Sequence, residues 1–154
     1  MTPSLRQIEG TWRQAVRVLS AAQPLALLLA RLHVAQAFFL AGLAKLRDWE
    51  ATLVLFENEY QVPLLPPQWA ALLGTGGELV LPVLLAIGLA GRFAALGLTI
   101  VNIVAVLSLP EIAPAALGQH QLWGALLLAV LLWGPGRLSL DALIGPRLSS
   151  SVRR

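Results

Sequence analysis

Four apolar stretches, each long enough or nearly long enough to cross a bilayer, dominate this chain of 154 residues. They are residues 24–44, 69–90, 92–109 and about 116–134. A spanning helix needs about 20 mainly apolar residues. In lipid each backbone polar group must be satisfied within the structure itself, so each stretch is expected to be helical. The expected fold class is all-α, an integral membrane four-helix bundle. Short interfacial helices are expected in the N-terminal tail and in the first outer loop. The expected division is a cytoplasmic interfacial segment at 1–23, a bundle domain at 24–145 and a basic cytoplasmic tail at 146–154.

Composition supports this. Only 12% of residues are charged and 57% are hydrophobic, against about 25% charged in soluble domains. The first apolar run begins after some two dozen residues. It is longer than the h-region of a cleaved signal, which is about 7–15 residues, so it is expected to be retained. The chain has no cysteine. That excludes disulfides, thiolate metal sites and thiol–disulfide chemistry by the chain itself.

The charges also orient the bundle. Four crossings put both termini on one side. Arg6, Arg13, Arg17, Arg92, Arg137, Arg147, Arg153 and Arg154 fall on that side. Lys45 and Arg47 fall on the other, with Asp48, Glu50, Glu57, Glu59 and Glu111. The positive-inside rule then places both termini in the cytoplasm. The net charge of +3 is read as topology, and no nucleic-acid partner is expected. Trp49, Tyr60, Trp69 and Trp123 fall near the outer boundary and Trp133 near the inner one, as an aromatic belt requires.

Two flanking segments have helical apolar spacing. Leu5, Ile8, Trp12, Val16 and Leu19 form one stripe, with Ser4 and Gln7 at capping-box spacing and Arg6, Arg13 and Arg17 off the stripe. Trp49, Leu53, Phe56 and Tyr60 form the other. Gly91 and Arg92 are expected to make the turn between the second and third spans. Pro110 and Pro114 punctuate the gap before the fourth.

Ionisable groups inside a span are costly, and each is a candidate functional group. Arg31 lies about 10 Å into the first span, Glu78 about 14 Å into the second and Asn102 about 15 Å into the third at 1.5 Å per residue. Arg31, Phe38, Gly42 and Lys45 share one face of the first helix, and Glu78 and Arg92 share a face of the second. An Arg31–Glu78 ion pair is expected at this seam. Gly74, Gly76 and Gly77 allow close helix approach beside Glu78. Pro82 removes the donor that the residue 78 carbonyl would use, so a kink is expected there. The candidate intramembrane polar site is Arg31, Glu78 and Asn102, and the candidate mouths are Lys45, Arg92 and His120. An interior ion pair also serves to fix packing register, and Asn102 suits inter-helix hydrogen bonding. His33 and His120 differ by about 15 Å in depth, so they cannot share one haem or metal. No metal site is expected, and one methionine without cysteine makes a poor copper site.

In order and spacing these residues resemble the DoxX family of small bacterial membrane proteins. Arg31 followed by Gly42, Leu43, Ala44 and Lys45 is similar to the family's arginine and G-x-x-K. Glu78 followed by Gly88 and Arg92 is similar to its glutamate and G-x-x-x-R. Residues 120–123 read HQLW, and residues 134–141 read GPGRLSLD, the most specific single element. The similarity covers about residues 24–145. It implies a four-helix bundle associated with membrane oxidoreductase systems. The family takes its name from association with a thiosulfate:quinone oxidoreductase. Other members are linked to oxidative or thiol stress, and similar relatives occur near genes for metal-stress peptides.

The resulting expectation is an accessory, non-catalytic subunit of a quinone- or stress-linked membrane redox system. Quinone is the cofactor considered. Any electron transfer would rest on a membrane or soluble redox partner, and a homo-oligomer is admitted. The alternatives are a small transporter or permeability factor, and a membrane anchor recruiting a soluble partner.

Overall fold

The structure is a computed structural model that describes the backbone of residues 3–151 and the side chains of residues 7–145. The helices are α1 (Pro3–Arg47), α2 (Trp49–Asn58), α3 (Pro67–Ile87), α4 (Gly91–Ser108), α5 (Pro114–Trp133) and α6 (Leu140–Ser151). Among the described residues α1, α3, α4 and α5 are long and apolar enough to cross a membrane. The Ser4–Gln7 pairing, Leu5, and the side chains of Arg6, Arg147, Arg153 and Arg154 lie outside the described side chains.

Three boundaries differ from the sequence reading. The N-terminal surface helix and the first span are one continuous helix, with Pro24 inside it. Proline removes one hydrogen bond. Ala21, Ala22, Leu25 and Ala26 around it are strong helix formers. The second span ends at Ile87, not residue 90. Gly88 adopts φ +69°, its N–H bonds the Leu85 carbonyl, and the Leu89 N–H bonds the Leu84 carbonyl. This is a Schellman ending, which favours a glycine in the left-handed region. The turn is therefore Gly88–Ala90, and Gly91 and Arg92 open α4. Hence Glu78 and Arg92 sit on different helices.

The core gathers Leu27, Val34 and Phe38 of α1 with Leu85, Leu98, Leu127 and Val130. α1 and α3 are antiparallel and meet at Gly42, where an added Cβ would lie 3.0 Å from the Glu78 Cβ and 3.0 Å from the Leu79 Cγ. Gly97 of α4 packs on the end of a side chain of α3, with Leu81 Cδ1 2.7 Å from an added Cβ. α3 continues through the buried Pro82 as one helix. α2 is capped by Asp48, whose Oδ1 accepts the Ala51 N–H at 2.9 Å. It packs Phe56 against Ala70 and Ala71 of α3. The segment after it crosses to the end of α4, where the Gln61 N–H bonds the Ser108 carbonyl at 2.8 Å.

At the opposite end of the bundle Arg31 is fully buried. Its Nη1 donates to the carbonyls of Leu85 at 3.2 Å and Ala86 at 3.3 Å, and its Nη2 donates to the Leu138 carbonyl. The cation thus sits on the last carbonyls of α3, sharing that of Leu85 with the Gly88 N–H, at the negative end of the helix dipole. Asp141 is its mirror image. Its Oδ1 and Oδ2 accept the Ala90 and Gly91 N–H groups at 2.8 Å each, at the positive end of α4. The Asp141 N–H returns to the Gly88 carbonyl at 3.0 Å.

Gly42→Leu is expected to lower stability by about 1–3 kcal/mol through overpacking. Gly76→Ala, where an added Cβ meets nothing within 4 Å, should be neutral or stabilising. Arg31→Lys keeps the charge but loses the fork that reaches three carbonyls, for an expected cost of about 1–3 kcal/mol. Thermal unfolding of the detergent-solubilised protein measures all three.

Candidate functional site

The expected Arg31–Glu78 pair does not form. Glu78 is held by Lys45, whose Nζ lies 2.7 Å from Oε1 and 2.5 Å from Oε2. The reason is register. Gly42 faces Glu78, so Arg31, eleven residues earlier on α1, lies about 16 Å further along the axis. That is more than an arginine arm spans. Lys45, one turn past Gly42, is the cation at the right depth. Helical phase placed both cations on the correct face but not at the correct depth.

The pair lines a cavity of about 390 Å³ between α1, α3, α4 and α5, closed on its far side by Phe56 of α2 and the 59–66 segment. The tight contacts of Gly97 on Leu81 and of Gly77 on Val101 hold α3 and α4 together below it. Beyond them the two helices flank the cavity through Ala70, Leu73 and Gly74 on α3 and Val104, Ala105 and Ser108 on α4. Leu73 and Ile100 line the cavity and are also more than half exposed on the outer surface. The cavity therefore has an edge between α3 and α4 that faces the surrounding lipid.

Its walls are mostly apolar, with a few polar groups converging. Trp123 stacks edge-on against Phe38, with ring centroids 5.4 Å apart, and against His120 at 5.1 Å. The Trp123 Nε1–H is buried without a partner among the described residues. Asn102 stands behind this wall. Its Nδ2 donates to the His120 carbonyl at 2.9 Å, and its Oδ1 lies 2.8 Å from the His120 Nδ1. Because the Asn102 Nδ2 is the donor in the first bond, Oδ1 is the acceptor in the second. His120 then carries its proton on Nδ1 and leaves Nε2 as an acceptor. Tyr60 closes the cavity from the loop. Burial first, then Glu59 and Glu78, raise its pKa above the ordinary phenol value, so it stays a neutral hydroxyl.

The sequence-level candidates separate accordingly. Glu78, Lys45 and His120 line one cavity, with Asn102 orienting His120. Lys45 is the ion-pair partner of Glu78. Arg31 and Arg92 lie at the other end of the bundle. Arg92 donates from Nη2 to the Leu132 carbonyl at 3.2 Å, bracing the end of α5. His33 is exposed on α1. Tyr60, Ser108 and Trp123 were not singled out as cavity residues. Tyr60 and Trp123 carried only an interfacial signal, and nothing in sequence shows that a loop folds back over the bundle. Among the described residues no three His, Cys, Asp or Glu side chains could hold a metal.

The family model that matches the chain is DoxX, over residues 26–111. The matched stretch covers α1 from the first core residue through α4 and contains Arg31, Lys45, Glu78 and Asn102. No curated protein and no solved structure matches.

Removing one member of a desolvated ion pair leaves an uncompensated charge, whereas removing both is often tolerated. Lys45→Met and Glu78→Met are therefore each expected to cost up to about 3–5 kcal/mol, and the double variant to recover most of that loss. Singles that simply add in the double variant would show that the two groups are not coupled. Thermal unfolding of the four proteins in one detergent decides this.

Proposed function

This chain belongs to the DoxX family and is an integral membrane protein, and from that premise we propose that it is the quinone-holding accessory subunit of a plasma-membrane redox system. The single observation that carries the reading is a bidentate Lys45–Glu78 pair set into the wall of an otherwise apolar cavity. An apolar cavity of about 300–1,000 Å³ with a few convergent polar groups suits a small lipid-soluble ligand. The groups present suit a flat ring that carries oxygens. Phe38 and Trp123 offer aromatic faces. Lys45 and the free Trp123 Nε1–H offer donors to a carbonyl oxygen. Glu78 offers an acceptor to a hydroxyl, and stands where it can take or return the proton that distinguishes quinol from quinone. The edge between α3 and α4 gives such a ligand a route from the bilayer.

A buried ion pair contributes little net stability compared with apolar residues of similar volume. Its placement in a cavity wall is better accounted for by a ligand than by packing. The chain supplies binding and a proton acceptor, and the electrons belong to a partner oxidoreductase. Both termini are cytoplasmic in this reading, because Arg13, Arg17, Arg92 and Arg137 cluster at the Arg31 end. The cavity then lies in the outer half of the membrane.

The protein purified from its native membrane is expected to carry quinone, detected by solvent extraction and mass spectrometry. In nanodiscs, a short-chain quinone should bind about tenfold more weakly to Glu78→Gln and to Trp123→Phe, through loss of one hydrogen bond each. Arg92→Gln, at the other end, should bind normally. Absence of quinone from the purified protein together with equal affinity across these variants overturns the reading.

A further inference from the structure

His33 and Gln36 are exposed on α1. Counted from residue 24, they lie about 14 and 18 Å into a hydrocarbon layer about 30 Å thick. They are the exposed polar side chains within the apolar stretch 24–44 of α1, where Arg31 is buried. Polar groups at this depth seldom face lipid, because hydrocarbon offers no hydrogen-bond partner. Every helix that packs on α1 lies on its other side, where Leu27, Arg31, Val34, Phe38 and Gly42 are buried. Nothing else in the described chain covers these two groups.

Their surroundings have a pattern. Ala22, Ala26, Leu29, His33, Gln36 and Leu40 are all exposed, and they follow one another at spacings of 4, 3, 4, 3 and 4 residues. That is the heptad seam of a left-handed helix pair. Ala22 and Ala26 allow a second backbone to come close. A two-fold axis along the bilayer normal sets each residue at the depth of its own copy. His33 and Gln36 then differ by about 4.5 Å in depth. A neutral imidazole has one donor and one acceptor, and a carboxamide has both. His33 of each chain can therefore bond Gln36 of the other, and the pair is self-complementary.

We propose that this face of α1 is the interface with a second copy of the chain, making a two-fold dimer through an α1–α1 seam pinned at mid-membrane by His33 and Gln36. None of the seam residues lines the cavity, so the proposal stands whatever the cavity holds. A polar residue at one seam position fixes register and partner number in such pairs.

The chain has no cysteine, so single-cysteine variants report cleanly. Leu29→Cys and Leu40→Cys leave the polar pair intact. In reconstituted full-length protein both are expected to form disulfide-linked dimers under copper–phenanthroline. Val80→Cys and Leu128→Cys, on the exposed faces of α3 and α5, should give only background. By quantitative photobleaching in vesicles, the double variant His33→Leu with Gln36→Leu should dimerise about tenfold more weakly while remaining folded. Any of four results overturns the proposal: a monomer at every protein density, strongest crosslinking at Val80 or Leu128, an unchanged double variant, or crosslinking of Leu29→Cys in native membranes only to a different protein.

Discussion

Arg31, buried against the last carbonyls of α3, sets the geometry of the bundle. Taking a guanidinium out of water is costly unless its donors are met, and here the Leu85 and Ala86 carbonyls meet Nη1 and the Leu138 carbonyl meets Nη2, while Nε has no partner among the described residues. The same contact fixes three things. It sets the axial position of α1 on α3. It draws the segment after α5 back under the bundle. Through Leu138 it delivers Asp141 to the free N–H groups that open α4. A cation at a helix C-terminus and an anion at a helix N-terminus, a few residues apart, lock two helix ends and a tail without an ion pair between them.

The register set there determines the chemistry at the far end. With Arg31 seated on the end of α3, Gly42 comes against Glu78 and Lys45 reaches its carboxylate. The two ends therefore use their charges differently. At the Arg31 end they satisfy backbone groups, which stabilises the fold. At the Lys45 end they satisfy each other in the wall of a cavity, where a hydrophobic pair of similar volume would pack as well. That contrast separates a structural arginine from a candidate ligand-binding pair, although both sit on one face of one helix.

Much of the architecture was legible in order of residues. Apolar length gave the four crossings, and Trp49, Phe56 and Tyr60 marked α2 and its packing face. Phase on α1 was also right: Arg31, Phe38, Gly42 and Lys45 do face inward. The misreadings have two causes. Helical period reports direction around an axis, whereas pairing depends on the offset between two axes. The Arg31–Glu78 expectation had the right face and the wrong offset. The turn expected at Gly91 and Arg92 failed for a local reason, because Gly88, three residues earlier, takes the left-handed conformation that ends α3.

What the sequence by itself determined was membrane insertion, the number of crossings and the inward face of α1. These depend on local length, composition and period. Only the tertiary structure decided which cation meets Glu78, that the GPGRLSLD segment caps α4 and covers Arg31, and that the loop after α2 closes a cavity. It also decided that His33 and Gln36 are left uncovered. Each of these depends on the axial offset and close approach of elements distant in sequence, and no spacing within a single helix encodes them.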